Sequence, residues 1–135
     1  MNVYNFGRVL SHHQKFDSMT KKVLRLDFES ELDFLLVGIV SGHKDYRICY
    51  ELNSILKIRM SRQPDIELSA GRPGSRTIHS CYHYSRGEHE AYHLVSNKDI
   101  EGTGNFIPEI KNIDYFLIIS GSSRNFNLQP IIDQI

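Results

Sequence analysis

The sequence has no tryptophan, two cysteines, four prolines and no long apolar run. The missing tryptophan excludes nothing. Two cysteines, Cys49 and Cys81, are too few for a disulfide framework. Both lie in regular patterns and read as small buried hydrophobes of a reducing cytoplasm. A membrane span needs about 18 consecutive apolar residues, and no segment reaches that, so no membrane partner is expected. Residues 1–7 lack a basic region followed by an apolar core, so they do not read as a secretion signal. Net charge is absent as well: 16 basic residues face 16 acidic ones. Such a balance gives no strong field to draw nucleic acid, and no nucleic-acid partner is expected. Internal repeats, glycine-rich phosphate loops, nucleophile elbows and paired CxxC motifs are also missing.

What is present is one domain's worth of chain, 135 residues. A domain of that size buries roughly two-thirds of its unfolded surface and needs no staples. Residues 1–20 are polar and aperiodic and read as a loosely ordered arm; residues 21–135 read as one α+β domain. Leu24, Leu26 and Phe28 alternate with Arg25 and Asp27, the period of a half-buried strand. Residues 34–40 form a continuous apolar run, read as a strand buried on both faces and paired antiparallel with the first. Ile48, Cys49, Leu52, Ile55 and Leu56 fall at helical spacing and predict a main helix over about residues 43–56. Ser41 is placed to cap it and Asp45 to put negative charge in its first turn.

Leu56, Ile58 and Met60 alternate with polar residues as another strand, broken by Pro64; Ile66 and Leu68 extend briefly beyond it. Residues 78–84 and 89–95 flank Ser85-Arg86-Gly87-Glu88 and read as a hairpin. Residues 97–104 are a polar loop. Residues 113–119 are nearly continuous β-branched and aromatic residues closed by Gly121, the signature of a central strand. Residues 128–135 read as a short C-terminal helix, with Pro130 tolerated in its first turn.

That central stretch carries a motif: Ile107-Pro108-Glu109, three residues, then Ile113-Asp114-Tyr115. It resembles the signature of the IPExxxVDY family of small bacterial proteins, with Ile113 where the pattern has valine. Gly38-Ile39, Asp45-Tyr46-Arg47 and Leu52-Asn53 add to the likeness, which covers residues 22–120. The family is named for the motif, and the resemblance implies no catalytic role for its residues. Read as chemistry, Glu109 and Asp114 would serve acid–base work only if they met in one cleft. The plainer account has Glu109 capping turn amides and Asp114 accepting bonds from nearby amides, hydroxyls or basic groups.

The most chemical-looking stretch is His79-Ser80-Cys81-Tyr82-His83 with His89 and His93 across the hairpin. Imidazole and thiolate suit zinc, and His79, Cys81 and His83 share one face of a strand. Register decides whether His93 joins them. With Tyr84 opposite His89, the register favoured here, Tyr92 and Glu90 come to that face; with Ser85 opposite His89, His93 comes instead. The spacing matches no zinc template, and solvated or hydrogen-bonded histidines are the plainer account. His43 reads as a surface histidine, and Arg72, Arg76 and Arg86 near Tyr82 and Tyr84 lack a nucleic-acid motif.

The expected architecture is α+β: an antiparallel sheet of about five to seven strands with the 43–56 helix and the C-terminal helix on one face. The expected function is a non-catalytic, self-associating interaction domain, a homodimer or a module with another protein partner, using no cofactor. The motivation is the lack of catalytic constellations, exposed hairpin aromatics and a sheet edge to cover. The alternative is a small-ligand- or metal-binding, enzyme-like domain. It would use His79, Cys81, His83 and His93 or the Glu109/Asp114 region.

Overall fold

The computed structural model describes residues 1–10, 33–69, 76–87, 90–102 and 104–121. In chain order these hold β1 (Asn2–Leu10), β2 (Asp33–Val40), α1 (Asp45–Leu56), β3 (Ser61–Ser69), β4 (Arg76–Arg86), β5 (Glu90–Ser96) and β6 (Tyr115–Gly121). The strands form one six-stranded open sheet in the order β1-β2-β6-β5-β4-β3, every neighbouring pair antiparallel. The chain is α+β, as its pattern predicts.

β6 sits inside the sheet between β2 and β5. Its residues are apolar without a break because both faces are covered. Tyr115, Leu117 and Ile119 point into one cluster with Val37, Ile39, Tyr92, Leu94 and the α1 residues Ile48, Cys49 and Leu52. Phe116 and Ile118 point the other way, with Phe34, Leu36, Cys81, Val95 and four apolar residues of the 97–113 segment, Phe106, Ile107, Ile110 and Ile113. The sheet is therefore sandwiched between a helix and an ordered loop. β2 shows the same alternation, which explains its unbroken apolar run. Gly38 lies on it where a Cβ would stand 2.7 Å from the Phe6 ring and 3.0 Å from Ile113, so only glycine admits both side chains.

Several expectations are corrected. The arm expected over residues 1–20 includes β1, which pairs with β2 from Asn2 opposite Val40. Its sequence lacks a period because the ladder is interrupted by a bulge between Asn5 and Arg8. β2 is flanked by β1 and β6; the strand expected at 24–28 as its neighbour, and the C-terminal helix at 128–135, lie outside the described residues. The helix begins at Asp45, with Lys44 at its N-cap position and no side-chain cap. Ser41 Oγ instead accepts the His43 amide at 3.2 Å, a local turn ahead of the helix.

Residues 57–60 are an extended connection, with Ile58 and Met60 buried. Asn53 holds it from inside α1. Its Nδ2 donates to the Met60 carbonyl at 3.1 Å and its Oδ1 accepts the Met60 amide at 2.9 Å. Pro64 does not end the strand. It falls within β3 at an irregularity between Gln63 and Ile66, on the sheet's edge, where a missing N–H is tolerated.

Candidate functional site

The 97–113 loop is built around Asn97, which is fully buried. Its Nδ2 donates to the carbonyls of Ile110 (2.7 Å) and Ile113 (2.8 Å), and its Oδ1 accepts the Ile107 amide at 3.0 Å. Its backbone amide donates to the Asp114 carbonyl and its carbonyl accepts the Phe106 amide. An amide has one acceptor and two donor positions suited to this bracing, and here all are used. The bonds fix the turn that drives Ile107, Ile110 and Ile113 into the core. Pro108 and Glu109 are left exposed at its tip.

The second half of the motif works on the other side of β2. Asp114 Oδ2 accepts the Ser41 amide at 2.9 Å, and the Asp114 amide donates to the Ile39 carbonyl. Tyr115 donates its hydroxyl to the His43 carbonyl at 2.6 Å. Burial, with the charges of Asp45 and Asp114 nearby, pushes that phenol up to about 12, so it remains a donor. Glu109 and Asp114 do not share a cleft: one is exposed on the turn, the other is turned toward the β2–α1 connection. Asp114 and Tyr115 are thus placed as braces of the fold, and Ile107 and Ile113 as core residues.

The hairpin register differs from both that the sequence brought forward. Arg86 lies opposite Glu90, Tyr84 opposite Tyr92 and His83 opposite His93. Gly87, with φ of 66°, starts the turn. The favoured register put Tyr92 on the histidine face; the observed one puts Tyr92 with α1 and brings His93 to the face of His79, Cys81 and His83. The His83 and His93 rings lie 4.6 Å apart between centroids, tilted at 40°. Burial, and to a lesser degree His83, depress His93 to about 4, so the pair is neutral at His93 near pH 7.

His79 is closed off from this pair. It is fully buried, with Nδ1 2.9 Å from the Ser96 carbonyl and Nε2 2.9 Å from the Thr77 hydroxyl. The carbonyl can only accept, so Nδ1 carries the proton and Nε2 accepts from Thr77. Its ring meets Phe106 edge-on at 5.3 Å. Cys81 is buried and forms no disulfide. Among the described residues, no three or more His, Cys, Asp or Glu side chains are grouped to hold a metal ion.

The hairpin aromatics are not the exposed ones. Tyr82 and Tyr92 are buried and Tyr84 is half-buried. Tyr92 donates to Glu90, Arg62 lies over the Tyr82 ring at 5.5 Å and Arg86 over Tyr84 at 5.9 Å. Exposure of aromatics falls instead on α1. Tyr46 is 66% exposed and Tyr50 76%, and with Arg47 and Glu51 they line a shallow depression. The apolar stripe of α1 was legible in sequence, but two tyrosines on its outer side were not singled out. A tyrosine four residues from another, opposite a buried stripe, was the available signal.

Comparison with protein-family models, curated proteins and solved structures finds no match for this chain. Among the described residues, no helix is long and apolar enough to cross a membrane.

Proposed function

We propose that this chain is a non-catalytic protein-interaction module of the cytoplasm that self-associates as a homodimer. The observation that carries this is the pair of exposed tyrosines on α1, Tyr46 and Tyr50, standing on a helix whose opposite side is fully packed. Tyrosine and arginine are enriched at interface cores because they bring large rigid area and a polar end together. The motif residues of the IPExxxVDY resemblance support the reading by what they do. Asp114 and Tyr115 brace the connection that leads into α1, and no reactive geometry is asked of them. Sedimentation velocity across a concentration series should show a dimer; a strict monomer at the highest concentration, with no partner retained, would overturn the proposal.

A second reading, a small-ligand- or metal-binding domain, draws on the adjacent His83 and His93. It predicts stoichiometric metal in the purified protein that is lost in His83→Ala. Metal-free protein that still dimerises leaves the first reading in place.

A further inference from the structure

The outer stripe of α1 is composed so that it complements itself. Tyr46 and Tyr50 stand four residues apart, as do Arg47 and Glu51, whose side chains pair at 3.5 Å. Positions so spaced share one side of a helix, here opposite the buried Ile48, Cys49 and Leu52. We propose that the occupant of this surface is α1 of a second copy, packed antiparallel; this rests on the self-association reading. A two-fold axis normal to the helix, level with the midpoint between Arg47 and Tyr50, sets Arg47 opposite the second copy's Tyr50. The same operation keeps each flank of the helix on its own side, so Glu51 comes beside the second copy's Arg47 and Tyr46 beside its Tyr50. All four residues find a partner within the set, as an isologous contact requires.

The chemistry of each pairing is one the chain already uses internally. A guanidinium over a tyrosine ring occurs at Arg62–Tyr82 and Arg86–Tyr84, a guanidinium–carboxylate pair at Arg62–Asp45 and a tyrosine–tyrosine contact at Tyr84–Tyr92. Guanidinium and ring attract through the ring's negative face; guanidinium and carboxylate form a charge-assisted bond. The sheet edges are less suited. β3 carries Pro64, a bulge and the exposed charges Arg62, Asp65 and Glu67, features that blunt edge pairing. β1 is interrupted by its own bulge.

The test is sedimentation velocity on the full chain and on exposed-position variants, with circular dichroism to verify folding. Wild type should dimerise. Arg47→Glu places two acids together on each helix and should weaken the dimer at least about tenfold, a change of about 1.4 kcal/mol. Tyr50→Ser should weaken it likewise. Arg47→Glu combined with Glu51→Arg should recover most of the loss, because a cation and an acid again meet across the axis. If the single variants dimerise like wild type, or the double variant stays weak, the antiparallel α1 pairing is wrong while self-association stands. If wild type is itself monomeric, both fall.

Discussion

Asp114 and Ser41 are joined across the sheet's connection: the carboxylate of one accepts the backbone amide of the other at 2.9 Å. Seventy-three positions separate them in sequence, so the bond ties the entry of β6 to the exit of β2. Such a bond satisfies both a half-buried carboxylate and an amide that no helix or strand would otherwise use.

Asp114→Ala should therefore lower stability by about 1–3 kcal/mol, the range for stranding a buried partner. Asp114→Asn keeps an acceptor oxygen and should cost less. Paired denaturant melts measure both. Two variants as stable as wild type would remove the structural account and return the acid to a binding or catalytic role.

Asn97 predicts a larger effect. Three side-chain bonds leave it for the 107–113 turn, and at about 1 kcal/mol each Asn97→Ala should cost about 3 kcal/mol. Asn97→Asp keeps the size and the acceptor but sets an anion against the Ile110 and Ile113 carbonyls, so it should not rescue. Urea melts decide: if the Asp variant matches wild type, the two donor bonds contribute nothing.

Stability should also fall on acidification. His93 is held near 4 in the native state, chiefly by burial, against about 6.5 for an unfolded histidine. The unfolded chain therefore takes up a proton before the native one does. This contribution is complete above about pH 6.5 and is lost as pH falls toward 4, on the order of 2 kcal/mol. His79, depressed in the same direction by its burial, adds to the slope. His93→Gln should flatten the loss between pH 7 and 4.5 in denaturant melts. An unchanged slope would show that the His83–His93 pair does not govern it.

Much of the fold was legible because burial leaves a local trace. β6 and β2 are apolar throughout since both of their faces are covered, and α1 shows its stripe since only one side is. β1 left no such trace. Its ladder is broken by a bulge, so Val3, Tyr4, Phe6 and Val9, residues that favour strands, keep no period of two. Asn97 was hidden for a related reason: a buried asparagine and a solvated one look alike in a polar stretch, and only its bonding partners separate them.

By itself the sequence determined the class of the protein. The balance of acids and bases, with the absent apolar span and absent catalytic motifs, left a net-neutral α+β domain with a central strand read over residues 113–119, where the sheet holds Tyr115–Gly121. It did not determine which histidines meet. Strand side chains alternate with a period of two, so the hairpin pairing alone puts His93 beside His83 and sends Tyr92 to α1. Nor did it determine that Asp114 and Tyr115 would reach Ser41 and His43. Those bonds join the exit of β2 to the entry of β6 at one end of that antiparallel pair, and no local preference encodes a contact made only when β2 and β6 lie side by side.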